Sequence, residues 1–200
     1  MRHRRKPPCM SNGPCGQRET AMSAPDSGSR TIFLVGFMGA GKSSVGAALS
    51  RNLGWPFEDL DERIEAQEGR SIEQIFQQSG ETEFRRIEHV ALRSLIRDLG
   101  SSHKVVAVGG GAFAQANNAE LLEAAGFPVI FLDAPVEELF RRCQEQQLNR
   151  PLRRDLDEFR RLYDARRSWY MKAAVRIETS GKDVEEVAAE AIERLRNGAI

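Results

Sequence analysis

Apolar residues fall into two textures along this chain. Residues 31–35 form a short apolar, β-branched run, similar short runs recur at 56–59, 104–108, 128–132 and 174–178, and longer stretches with helical spacing separate them. Runs this short and this apolar suit strands buried on both faces of a parallel sheet. Between them, Val45, Leu49 and Leu53 share one helical face. Ile64 precedes a predicted helix around Ile72, Ile75 and Phe76, and Ile87, Val90, Leu92, Leu95 and Ile96 line another. Val184, Val187, Ala191, Ile192 and Leu195 line the last. Strands alternating with helices predict βαβ units, hence an α/β fold with a five-stranded parallel sheet covered on both faces. No internal repeat is visible.

Residues 1–30 lack either period and are rich in Pro, Gly, Ser and Arg. Such a segment buries too little apolar surface to offset its ordering entropy, so a disordered basic tail is expected, followed by one domain over 31–200. The tail holds six Arg and Lys against Glu19 and Asp26. It resembles the start of a signal peptide but has no apolar stretch after it, so export is not expected; Met10 and Met22 are alternative starts. The whole chain balances 29 Lys and Arg against 29 Asp and Glu, which argues against a protein that coats nucleic acid by bulk charge. No apolar run approaches the ~20 residues of a membrane span. Cys9, Cys15 and Cys143 form no framework, which points to a reducing, cytoplasmic compartment. His3 with Cys9 and Cys15 fits no zinc spacing.

The chemistry begins at Gly36-Phe37-Met38-Gly39-Ala40-Gly41-Lys42-Ser43, which matches GxxxxGK[ST] directly after a strand and before a helix. Backbone N–H groups of Gly39, Ala40 and Gly41 would wrap phosphate oxygens, with Lys42 on the β and γ phosphates. The hydroxyl of Ser43 would ligate Mg²⁺, and Ser44 opens the helix beside it. No guanine-reading NKxD or DxxG switch follows, so a GTPase is not expected. Val129-Ile130-Phe131-Leu132-Asp133 looks like a Walker B strand, but Ala134-Pro135 follows it, and Asp133 reads better as a cap for a helix starting near Val136. A small-molecule kinase remains.

Three further features carry an acceptor site. Asp59 and Asp61 end the second strand, and on an extended backbone i and i+2 point the same way, so two carboxylates would face one cleft. The alternative is a solvated acidic turn, or Asp61 as a helix cap. In Glu83-Phe84-Arg85-Arg86-Ile87-Glu88 the two arginines cannot share a helical face; one suits a carboxylate clamp and the other a surface ion pair. Gly109, Gly110 and Gly111 follow a buried strand, where the backbone can approach a ligand closely, or form a flexible loop.

Together, GFMGAGKSSVG, FEDLDERIE, GRSIEQIF, GETEFRRIE, the GGG run and NRPL with a later RRSWY resemble the shikimate kinase family over residues 31 to about 196. The resemblance implies a three-layer P-loop kinase fold with a mobile lid at about 144–156. It implies transfer of the γ-phosphate of ATP to the 3-hydroxyl of shikimate with Mg²⁺, in chorismate and aromatic amino-acid biosynthesis. It assigns Asp61 to the shikimate hydroxyls as candidate base, Asp59 with Ser43 to the metal, and Arg85 and Arg166 to the carboxylate. It further assigns Gly109, Gly110 and Gly111 to the substrate ring, Arg150 to the transferring phosphate and Arg142 to the adenine. Arg166 is chosen over Arg167 by counting four residues back from Tyr170. The lid departs from the usual RPLL, reading Arg150-Pro151-Leu152-Arg153-Arg154. A gluconate-type carbohydrate kinase and a non-catalytic ATP-binding sensor are the alternatives. A monomer without nucleic-acid or membrane partners is expected.

Overall fold

The computed structural model describes residues 31–100, 102–145 and 155–198. The tail at 1–30, most of the expected lid and Arg150 lie outside the described residues. The chain runs β1 (Ile32–Val35), α1 (Lys42–Leu53), β2 (Phe57–Asp59), α2 (Leu60–Glu68), α3 (Ile72–Leu99), β3 (Val105–Ala107) and α4 (Ala116–Ala124). It continues through β4 (Val129–Asp133), α5 (Val136–Glu145), α6 (Leu156–Tyr170), β5 (Val175–Glu178) and α7 (Val184–Arg196).

The five strands form one sheet in the order β2-β3-β1-β4-β5, and every pair is parallel. Central β1 is buried along its whole length, with Phe33 level with Val106 of β3 on one side and Val129 of β4 on the other. Each strand lies within a residue of its expected run at both ends. The order reverses beside β1, since β2 and β3 lie on one side and β4 and β5 on the other; in open α/β sheets ligands bind outside the carboxyl ends of the strands at such a point. The phosphate loop leaves β1 there.

Local chemistry sets the helix ends. Ser71 and Gln74 form a reciprocal capping box at α3, and Asp183 and Glu186 form one at α7. Ile64 lies inside α2, fully buried, and precedes α3 as expected. The two helices expected around Phe76 and Leu92 run on as α3, broken at Gly80. The apolar pattern did not announce α4 and α6, because short apolar stripes alternate there with many charged and small side chains.

Asp133 does not cap α5. In the first turn of that helix the N–H groups of Glu138 and Leu139 donate to the carbonyl of Pro135. The Asp133 carboxylate turns instead to α6 and β5, accepting from the Tyr163 hydroxyl at 2.9 Å and Arg176 Nε at 2.9 Å. Buried partners outcompete a solvent-facing cap for a side chain that leaves a strand into the core.

Candidate active site

The phosphate loop is shaped by glycines with positive φ. Gly39 sits at φ 79°, and a β-carbon there would lie 2.6 Å from the Leu139 carbonyl oxygen and 3.0 Å from Cys143 Sγ of α5. Only glycine tolerates both the dihedral and the contact. Ala40 is buried in the core beneath the loop. At the head of α1, Lys42 Nζ donates to the carbonyls of Gly36 at 3.0 Å and Phe37 at 3.1 Å, and Ser44 is exposed on the first turn.

Ser43 Oγ donates to Asp59 Oδ2 at 3.0 Å, while Asp59 Oδ1 accepts the backbone N–H of Asp61 at 3.0 Å. Asp59 is therefore the N-cap of α2, and Asp61 lies inside that helix. This corrects both sequence readings of the pair: the two carboxylates do not sit at i and i+2 of one extended strand, and Asp61 is not the cap. The Asp61 carboxylate instead faces the glycine run. A β-carbon on Gly109 would stand 2.7 Å from Asp61 Oδ1 and 3.1 Å from Glu88 Oε1.

Arg85 faces the glycine run, where a β-carbon on Gly111 would meet its guanidinium at 2.5 Å. It donates to buried Glu88 at 2.8 Å and to Glu81 at 3.2 Å. Its neighbour Arg86 pairs with Glu83 on the exposed surface. Arg166 comes from α6 on the opposite side, donating to the Gly110 carbonyl at 3.3 Å, with its guanidinium 5.7 Å from the Phe37 ring centre. The Tyr170 hydroxyl donates to the same carbonyl. Gly109, Gly110 and Gly111 thus lie between Asp61, Arg85 and Arg166. Burial pushes the Arg166 pKa down, and the charge of Arg85 acts in the same direction. Glu81 acts on both arginines but is itself largely exposed, so two guanidiniums held this close still favour an anionic ligand.

Glu88 escaped the sequence reading as a site residue. Burial pushes its carboxyl pKa up, against the pull of Arg85, and Asp61 adds to the rise. It also accepts from Gln115 at 2.6 Å. The signal available was its spacing, three residues after Arg85 on one helix face. Arg142 of α5 lies further along, donating to Thr179 Oγ1 at 2.9 Å, the Thr179 carbonyl at 3.1 Å and Glu138 at 2.5 Å. It borders Cys143, whose sulfur packs on Gly39, so α5 links Arg142 to the phosphate loop. Among the described residues no group of three His, Cys, Asp or Glu could hold a metal. The hard-oxygen pair Ser43 and Asp59 suits Mg²⁺, which takes the rest of its shell from phosphate and water.

A shikimate kinase family model matches residues 38–196. The chain belongs to the shikimate kinase family. The shikimate kinase of Persephonella marina is 40% identical over 167 residues, 84% of this chain and 99% of that protein. That of Geobacter metallireducens is 44% identical over 174 residues, 86% of this chain and 94% of that protein. The structure of shikimate kinase from Acinetobacter baumannii in complex with shikimate superposes with a TM-score of 0.77 at 35% identity, covering 84% of this chain and 93% of that one. The fold is thus the three-layer P-loop kinase fold of this family, and ATP is the phosphoryl donor that such kinases use. No helix among the described residues is long and apolar enough to cross a membrane.

Proposed function

We propose that this protein transfers the γ-phosphate of ATP to the 3-hydroxyl of shikimate, giving shikimate 3-phosphate and ADP for aromatic amino-acid biosynthesis. The observation that carries the site assignment is the convergence of Asp61, Arg85 and Arg166 on Gly109, Gly110 and Gly111, next to a loop headed by Lys42. Shikimate has a carboxylate at one end and hydroxyls at the other. Arg85 and Arg166 grip the carboxylate bidentately, which aims the hydroxyl end at Asp61.

In the reaction the acceptor oxygen bonds to the γ-phosphorus as the bond to the β–γ bridging oxygen breaks, and ADP leaves with that electron pair. The hydroxyl proton passes to Asp61. The transition state is loose, so Asp61 orients the hydroxyl first and takes the proton late. Lys42 leaves the carbonyls of Gly36 and Phe37 for the β and γ phosphates, and the N–H groups of Gly39, Ala40, Gly41, Ser43 and Ser44 hold the phosphate oxygens. Ser43 and Asp59 would hold Mg²⁺, which would offset negative charge on the nucleotide phosphates. Arg142 flanks the adenine and Arg150 covers the transferring phosphate, as the family pattern implies. The protein acts as a monomer in the cytoplasm, a compartment that suits three cysteines whose spacing forms no disulfide framework.

The test is ADP release with Mg-ATP alone, with shikimate, and with gluconate or quinate. Turnover that requires shikimate is expected. Release with gluconate alone, or at the same rate without any acceptor, would overturn the acceptor assignment and leave only nucleotide binding.

A further inference from the structure

Asp133 sits where a P-loop protein often places a metal-side acid, at the carboxyl end of the strand beside β1, yet its side chain is 3% exposed and is bound to residues of α6 and β5. The Tyr163 hydroxyl donates to Oδ1 at 2.9 Å. Arg176 donates to Oδ2 at 2.9 Å through Nε, with Nη2 at 2.8 Å. Arg167 Nη2 stands 3.6 Å from the same oxygen, and its Nε donates to the Tyr163 hydroxyl at 3.2 Å. The Asp133 carbonyl accepts the N–H and hydroxyl of Thr179. The side-chain groups that meet this carboxylate are therefore donors, and none of the three residues that supply them, Tyr163, Arg167 and Arg176, takes part in the reaction.

The helix geometry gives this knot a consequence. With 3.6 residues per turn, Arg166 lies about 60° to one side of Tyr163 and Arg167 about 40° to the other. Fastening Tyr163 and Arg167 to Asp133 turns Arg166 the opposite way, toward the Gly110 carbonyl and the Phe37 ring. The Tyr163 ring meets that same Phe37 edge-on at 5.5 Å. We propose that Asp133 is a positioning residue of the acceptor site: through Tyr163 and Arg167 it sets the rotation and register of α6 so that Arg166, rather than Arg167, faces the acceptor carboxylate. This rests on the reading above in which Arg166 binds that carboxylate.

Asp133→Asn keeps the volume and removes the charge. It is expected to raise the KM for shikimate about tenfold, the size of one lost charge-assisted hydrogen bond, and to leave the KM for ATP within about twofold. Tyr163→Phe keeps the ring on Phe37 and removes only the hydroxyl; it is expected to act in the same direction by about threefold, and serves if the first variant folds poorly. In an Arg166→Ala background, Asp133→Asn should change the shikimate KM no further. A fall in melting temperature with both KM values unchanged would make the knot merely structural and overturn the proposal. So would parallel rises in both KM values, or independent effects of Asp133 and Arg166. If the unaltered protein does not turn over shikimate at all, the functional reading fails in the same assay and the inference falls with it.

Discussion

Gly109 and Gly111 act through what they leave out. A methyl on Gly109 would fall 2.7 Å from the Asp61 carboxylate, and one on Gly111 would fall 2.5 Å from the Arg85 guanidinium. Both obstacles are ends of flexible side chains, so the fold can absorb either alanine while the site cannot. Gly109→Ala should lower kcat about a hundredfold by moving Asp61, because misplacement by an ångström costs that much. Gly111→Ala should mainly raise the KM for shikimate by moving Arg85. Steady-state kinetics on the two variants separates them, and identical effects would show that the glycines serve flexibility instead. The sequence raised these glycines as backbone brought close to a ligand. Their use as space for two side chains from other elements was not legible, since it depends on α2 and α3 meeting β3. Glu88 was hidden for the same reason: its spacing to Arg85 is visible in one dimension, but its burial against Gln115 is not.

At the scale of elements, β1, β3 and β4 were plain because strands buried on both faces read as nearly uninterrupted apolar runs, whereas β2 and β5 carry charged residues and are less deeply buried. The Asp59–Asp61 turn was misread because β2 is only three residues long and its last member already caps the next helix. The break in α3 agrees with the two helices expected there, although nothing in the apolar pattern marked Gly80 as its place. Gly80 adopts φ 76° and ψ 172°, a region essentially closed to other residues, and no atom lies within 4 Å of where its β-carbon would be. The cost of a side chain there is thus purely backbone strain. Gly80→Ala should destabilise the protein by about 2 kcal/mol, read as a lower urea midpoint with an unchanged slope. An unchanged midpoint would mean the break is readily straightened. Arg85 lies beyond the break, so the variant should also weaken shikimate binding.

The whole molecule's response to pH follows from opposed carboxylates. Burial pulls the pKa of Glu58 up, but hydrogen bonds from Lys104 and Arg63 outweigh it, and the pKa ends below its ordinary value of 4.5. A lowered folded pKa contributes stability above 4.5 that is lost as pH falls below it. Glu88 is shifted the other way, so its contribution has the opposite sign: it opposes folding where it is ionised, and that cost shrinks as it protonates. Glu58→Gln should therefore lower stability at pH 7 by about 1 kcal/mol, given partial solvent screening, and flatten the loss on acidification. Chemical denaturation at pH 7 and at pH 4 checks this; an unchanged slope would assign the acid sensitivity elsewhere. The strand order carries a different lesson, about the time in which the protein is made. A ribosome delivers β1 first, yet its neighbours are Val105 of β3, seventy-three positions past Ile32, and β4 later still. The most apolar strand must wait, unpaired, for most of the polypeptide to be synthesised. The nucleotide loop hangs from that strand, so ATP can stabilise only chains that have nearly finished folding, and it offers no help to the nascent ones most in need of it.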